Sequence, residues 1–379
     1  MVTHTDSGLS PVVLFGTYDL GKPRNRIMLA SLQSQGVEVE QVHVDVWKHV
    51  EDKTQTGFLT RLRLAVRWAL AYPLLIWNYL RAPAHKVVMV AYPGILDILV
   101  VSLLARARGA KIVLDAFISI YDTVVIDRQL IRSSSFAAKL LYQLERFACH
   151  RAHLIILDTQ AHARYFQKLF DLSDQRTAAV MVGCETAHFP RLTPRVWNKN
   201  EALHVLFYGQ FIPLHGIDTI IEAARLSEEA GNSIQWTIVG TGQEAARVRT
   251  ILSEQPLKSL HWLEWINYDE LAETLRSSNV CLGIFGLTGK ASRVIPNKVF
   301  QILSAGRPLV TMDSIAMREL ISNSDEGIHL VPPGDPNALV QAITALAETG
   351  QQPSSEVAER FSESRLGESY RNLLERALT

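Results

Sequence analysis

Lys298 stands where a helix normally avoids a cation. The run Val294-Ile295-Pro296-Asn297-Lys298-Val299-Phe300-Gln301-Ile302-Leu303-Ser304-Ala305-Gly306-Arg307-Pro308 reads as a helix with a marked start and stop. Pro296 suits the first turn, where a missing N–H costs nothing. Gly306 and Pro308 end it. The first turn carries free N–H groups and the positive end of the dipole, where Asp or Glu is preferred. A lysine there makes sense when an anion such as a phosphate docks at that end. The plain alternative is a solvated surface lysine. A second group with chemical capacity follows the apolar strand that ends near Asp115. It holds Ser119, Tyr121, Asp122 and the pair Asp127-Arg128. A carboxylate at a strand end can act as a base or bind sugar hydroxyls. Asp122 as a helix cap, and Asp127 paired with Arg128, are equally open readings.

The elements that must position Lys298 are strand-to-helix junctions rich in glycine. His204 to Tyr208 is an apolar strand, closed by Gly209-Gln210 and, after a short turn, by His215-Gly216, from which an amphipathic helix runs to Ala224. Trp236 to Val239 is a second strand, closed by Gly240-Thr241-Gly242 before a further helix. Glycines at the carboxyl ends of parallel strands let a ligand approach the backbone closely. Three such junctions in order describe a nucleotide site on a doubly wound sheet. The first half alternates similarly. Its first strand, Val12 to Gly16, leads into Thr17-Tyr18-Asp19-Leu20-Gly21-Lys22-Pro23-Arg24. There Gly16 and Thr17 can offer backbone N–H groups to phosphates, and Lys22 or Arg24 can add charge. A solvated loop is the other reading.

The order of these motifs resembles the donor-binding half of a GT-B glycosyltransferase of glycosyltransferase family 4. The tail Leu330-Val331-Pro332-Pro333-Gly334-Asp335-Pro336-Asn337-Ala338-Leu339 fits the same family. The resemblance is strong over 203–345 and weaker before. It implies an α/β chain of two Rossmann-like doubly wound domains facing across a cleft. It also implies transfer of a sugar from a nucleotide-sugar donor, with retention and without a metal. The positions it points to for the donor are Gly16, Thr17, Gly209, Gln210, His215, Gly216, Gly240, Gly242, Ile266, Pro296, Asn297, Lys298 and Gln301. Asp122, Lys298 and Arg293 are the catalytic candidates; Ser119 and Tyr121 are the acceptor candidates. Most members carry an Arg and a Lys in the first glycine turn, where this chain has Gln210 and His215. Most also carry two Glu where this chain has Arg293 and Gln301. We read a relocated diphosphate clamp built on Lys298 and Arg293, with Gln301 left to bind ribose hydroxyls through its amide. A decayed, non-catalytic homologue acting as a scaffold is the alternative. A nucleotide-sugar epimerase is disfavoured by the loss of both Glu residues.

Length and composition agree. A chain of 379 residues is long for one core and suggests two domains: 1–190, with 361–379 crossing back onto it, and 200–360. Thr186 to Ala202, with two prolines, reads as the linker between them. Lys plus Arg equals Asp plus Glu at 38 each, so bulk attraction to nucleic acid is not expected. Cys149, Cys184 and Cys281 are far apart and make no ligand set, which suits a reducing cytoplasm and predicts neither disulfides nor a metal site. No cofactor is expected beyond the sugar nucleotide itself, and no secretory leader is legible at the N-terminus. Thr60 to Arg81 is apolar, aromatic and basic with no acid. Arg67 and Pro73 interrupt it, so it falls short of a membrane span. It suits the surface of an anionic bilayer, at the inner face of the membrane, or else a helix buried on the sheet. A lipid-linked or oligosaccharide acceptor follows from family habit. The end of the chain, Arg360 to Leu378, reads as a single amphipathic helix.

Overall fold

The computed structural model describes residues 11–47 and 58–379; the side chains of 58–62 lie outside the description. The chain divides into two compact units, 1–182 with 363–379, and 183–362.

The first unit is built on six parallel strands. They are β1 (Val12–Gly16), β2 (Val39–His43), β3 (Val87–Val90), β4 (Lys111–Phe117), β5 (Leu154–Leu157) and β6 (Thr177–Ala179). Their order is β2-β1-β3-β4-β5-β6. β1, β3 and β5 are continuous apolar runs, fully buried, as parallel strands covered on both faces must be. The covering helices are α1 (Pro23–Ser34), α2 (Phe58–Arg81), α3 (Ile95–Ala107), α4 (Phe136–Arg151) and α5 (Gln160–Phe170). Leu75 and Tyr79 of α2, Ile98 and Val101 of α3, and Phe166 and Phe170 of α5 share one apolar core with Val13, Val88 and Ile155.

The second unit repeats the plan. Its strands are β7 (Leu203–Tyr208), β8 (Ile234–Val239), β9 (Leu260–Leu263), β10 (Val280–Leu282), β11 (Leu309–Met312) and β12 (Ile328–Val331). They lie in the order β12-β11-β10-β7-β8-β9. Its helices are α6 (Ile217–Glu229), α7 (Ala245–Glu254), α8 (Tyr268–Ser277), α9 (Asn297–Ser304), α10 (Met317–Leu320), α11 (Pro336–Thr349) and α12 (Ser355–Glu359). Phe207, Ile220, Trp236, Leu282 and Ile343 are central to its core.

Two expectations need correction. The last helix is not continuous from Arg360. α12 ends at Glu359, and α13 (Glu363–Leu378) starts afresh. Arg360 is held by Asp325, Nη2 to Oδ1 at 2.7 Å, and Phe361 packs on Phe300 with ring centroids 5.1 Å apart. Those contacts fix 360–362 to the second unit and break the helix. α13 then lies along α1, where a side chain at Gly367 would overlap the Ser31 carbonyl. The proline-bearing stretch read as a linker is anchored too. Leu192 N–H donates to Ala305 at 3.0 Å, Ser304 to the Phe189 carbonyl at 2.9 Å, and Arg307 Nη1 to the Thr193 carbonyl at 3.1 Å. Residues 189–193 therefore belong to the second unit.

Candidate functional site

Each sheet has one place where neighbouring strands send the chain in opposite directions, the usual ligand crevice of an open α/β sheet. In the second unit it lies between β7 and β10. Gly209 follows β7 with φ of +144°, and an added side chain there would stand 2.9 Å from Lys298 Nζ and 3.0 Å from the His215 ring. The crevice therefore brings together Lys298, His215 and the first glycine turn. Gly216, with φ of +64°, packs so closely on the backbone of Phe285 and Gly286 that any side chain would overlap it. This contact ties the turn after β7 to the loop after β10. Gly240 and Gly242 likewise pack on the backbone of Gly209 and Phe211.

Lys298 lies in the first turn of α9, and Pro296 is the N-cap rather than the first helical residue. The side chain does not run out into water. It is 5% exposed, and Nζ sits 3.7 Å from the centre of the Phe207 ring. Its hydrogen bond to the Gly283 carbonyl is long, at 3.4 Å. Burial pushes its ammonium well below the ordinary lysine range. The surface-lysine reading is thereby excluded. His215 Nδ1 donates to the Gln210 carbonyl. The Gln210 side chain is exposed and Asn297 half-buried. Tyr208, missed in the sequence, is buried beneath α9. Its hydroxyl donates to Gln301 Oε1 at 3.1 Å, which fixes the amide that the ribose expectation relied on. Ile266 is half-buried just before the α8 cap Asn267.

Other expected residues go elsewhere. Arg293 sits in the loop between β10 and α9. Its guanidinium lies against Gly289 within its own loop. Thr17 offers nothing to a phosphate, because its N–H donates to Asp97 Oδ2 at 2.9 Å and its hydroxyl to Oδ1 at 3.1 Å. Gly16 is pressed against the same carboxyl. Arg24 is no phosphate cation either. It is 1% exposed and donates to Asp115, Nη2 to Oδ1 at 2.8 Å and Nε to Oδ2 at 3.0 Å.

Asp122, Ser119 and Tyr121 belong to an internal cluster. Asp122 opens a π-helical turn, is fully buried, and accepts from the Tyr165 hydroxyl at 2.9 Å. It therefore does not present a base to solvent. Ser119 Oγ, Ile120 N and Tyr121 N all donate to Glu145, at 2.9, 2.9 and 2.8 Å. Burial nevertheless pushes the Glu145 carboxyl up to about 7. Asp97, under the Thr17 and Tyr72 hydroxyls, is pushed up to about 6 by the same cause. Neither acid was singled out from the sequence. The one available signal was an acid on the inward side of a helix, since Ala148 and Cys149 flank Glu145 on the buried face of α4.

Known proteins share this architecture. Residues 202–349 match the model of the family described as glycosyl transferases group 1. The amylovoran biosynthesis glycosyltransferase AmsK of Erwinia amylovora is 24% identical over 39% of this chain and 37% of its own. A phosphatidyl-myo-inositol mannosyltransferase of Mycobacterium leprae is 29% identical over 38% and 36%. The chain thus spans little more than a third of the length of these curated relatives. Among solved structures, a sucrose-phosphate synthase from Thermosynechococcus elongatus superimposes with a TM-score of 0.69 at 16% identity, over 97% of this chain and 98% of its own. Anabaena HepE in complex with UDP superimposes with a TM-score of 0.63 at 12% identity, over 97% and 100%. Residues 202–349 of the second unit thus match the group 1 glycosyl transferase domain, and the two doubly wound six-stranded sheets share the fold of these solved glycosyltransferase structures.

Proposed function

We propose that this chain moves a sugar from a nucleotide-sugar donor to a hydroxyl of a polysaccharide or glycolipid intermediate, with retention and without a metal. The observation that carries the reading is the meeting of Lys298, His215 and the glycine turns at the β7/β10 crevice. A leaving nucleoside diphosphate gains negative charge as the glycosidic bond breaks. Fixed donors and a cation placed where that charge develops lower the barrier. The first N–H groups of α9 and the Lys298 ammonium are such a set, and they can do this work without a divalent cation. HepE's complex with UDP makes a uridine diphosphate the first donor to try. The names of AmsK and the mannosyltransferase support a glycan or glycolipid acceptor.

The test is thermal denaturation with UDP, GDP and ADP in the presence of EDTA. One of them at about a hundred times its Kd should stabilise the protein by about 2.7 kcal/mol. A chain that responds to none of the three is a scaffold with a decayed site.

Attachment to the inner face of an anionic membrane through α2 is part of the same reading. Among the described residues no helix is long and apolar enough to cross a membrane. α2 instead turns Val66, Leu70, Leu74 and Trp77 outward, with Arg63, Arg67 and Arg81 exposed beside them. The Arg81 guanidinium lies 4.1 Å from the centre of the Trp77 ring. An arginine near an anionic surface contributes about 1 kcal/mol. Replacing these three by Gln should therefore weaken co-sedimentation with anionic vesicles by roughly a hundredfold, and salt should weaken the wild-type protein similarly. Wild-type protein left in the supernatant at low salt would show that α2 is not an attachment.

A further inference from the structure

The crevice of the first unit, between β1 and β3, holds a pocket of about 240 Å³ that none of the donor chemistry uses. Trp68, Pro93, Leu96, Ile120, Leu141 and Leu144 make its apolar wall. Its polar groups, Thr17 and Asp97, are turned on one another. Asp97 accepts from Thr17 N, Thr17 Oγ1 and, at 3.1 Å, from Tyr72. Trp68 Nε1 donates to Thr17 Oγ1 at 3.1 Å. A sugar entering here would lose water and find few partners, which is costly. A hydrocarbon chain would lose nothing. The volume is below the roughly 300–1,000 Å³ of a drug-sized site, so it fits part of a chain and not a nucleotide.

The surroundings identify where such a chain comes from. α2, α3 and α4 line the pocket, and their apolar surface continues outward from its rim. On α3, Leu96 and Leu103 are 41% and 67% exposed; on α4, Phe136, Leu140 and Phe147 are 80%, 47% and 49% exposed. Leu144, in the pocket wall, lies one turn from Leu140 and Phe147. Large apolar side chains left exposed together on neighbouring turns are the kind of surface that interaction sites use. Charge selects the partner. The acids of α2, α3 and α4 among the described residues are Asp97 and Glu145, and both are buried. The exposed charges are Arg63, Arg67, Arg81, Arg106 and Lys139. An apolar face whose exposed charges are all basic complements an anionic leaflet.

We infer that the β1/β3 pocket is the subsite for the hydrocarbon chain of a lipid-linked acceptor, which reaches it from the leaflet beneath α2, α3 and α4. The inference rests on the glycosyl-transfer reading for the word acceptor, but its binding test does not.

The probe is 10-bromodecyl phosphate, whose bromine quenches tryptophan fluorescence on contact. Quenching should saturate, should resist competition by inorganic phosphate, and should lose its saturable part in Trp68→Phe. Leu144→Phe and Leu141→Phe each fill the pocket from a different helix turn and should weaken the saturable binding at least tenfold. Both should keep wild-type circular dichroism and vesicle co-sedimentation, because Leu103, Phe136, Leu140 and Phe147 stay exposed and unchanged. Unchanged affinity in both filling variants, or quenching that never saturates, would mean the chain only adsorbs to the helix surfaces, and the inference fails. Displacement of the probe by inorganic phosphate would replace it with an anion site. UDP, GDP and ADP are titrated into the same samples. A nucleotide-silent protein that still binds the probe would sink the transfer reading and leave the pocket standing.

Discussion

Asp115→Ala should cost the first unit about 3–5 kcal/mol of stability, the range for removing one partner of a buried ion pair. Asp115 is fully buried and Arg24 is 1% exposed. Burial by itself pushes the Arg24 charge downward, but the adjacent Asp115 carboxylate outweighs it and holds the guanidinium above its ordinary range. The pair is two-pronged, and Arg24 Nη1 also donates to the Val180 and Met181 carbonyls at 2.6 and 3.1 Å. One side chain thus ties α1 and β4 to the segment after β6. Phe117 and Tyr370 of α13 flank the guanidinium at 5.6 and 5.5 Å. Without Asp115 the cation remains, sealed from water by those rings. Arg24→Met with Asp115→Leu removes both charges and should recover part of the loss. Urea denaturation of the two variants reads this directly. A single variant within about 0.5 kcal/mol of wild type, the scale of a neutral surface change, would show that water reaches the pair.

That ion pair also shows what the sequence withholds. Arg24 follows the first glycine turn, and in one dimension it looks like a phosphate cation. Its partner is 91 residues away, beyond any local pattern. The glycine turns and the Lys298 run were legible because their meaning is local. A strand, a left-handed glycine and a helix start must be adjacent in the chain to work. The three junctions fall at one crevice because a right-handed parallel sheet brings them there. Arg293 was harder to place from the sequence, for the opposite reason. Its place depends on the path of the loop after β10, where no period constrains direction. α2 was ambiguous because apolar residues line both its faces. Leu75 and Tyr79 point inward, while Leu70 and Trp77 point out. Periodicity names an amphipathic helix but cannot say which of two apolar faces is covered. The break at 360–362 was hidden likewise, since the apolar stripe continues across it while Arg360 and Phe361 answer to Asp325 and Phe300.

Lys298→Met should weaken nucleoside diphosphate binding by about 1.5–3 kcal/mol, the range for a hydrogen bond to a charged group, or roughly 10- to 150-fold. The same substitution should stabilise the ligand-free protein. Both expectations follow from the buried position of Nζ, against the Phe207 ring and with one long bond to Gly283. Burial lowers the folded-state pKa of this amine, while the unfolded chain keeps an ordinary value near about 10.4. Between those two values the unfolded chain holds more protons, so stability of the empty protein rises with pH across that window and is lost as pH falls through it. Methionine fills a similar volume with nothing to desolvate, and its variant should melt higher and lack this pH slope. A bound diphosphate reverses the preference by favouring the ammonium, so binding draws a proton from solution. At pH 8 the calorimetric enthalpy should therefore depend on the ionisation enthalpy of the buffer in the wild-type protein and not in Lys298→Met. His215 faces the same turn, so His215→Asn is the control for its ring. The proton dependence that survives His215→Asn and disappears in Lys298→Met belongs to the lysine. Affinity should also fall as pH is raised from 7 to 9, because the empty site must then recover its proton from a poorer supply. Equal affinity in Lys298→Met would mean that the phosphates never meet this amine, and that the glycine turns and the α9 terminus hold the donor alone.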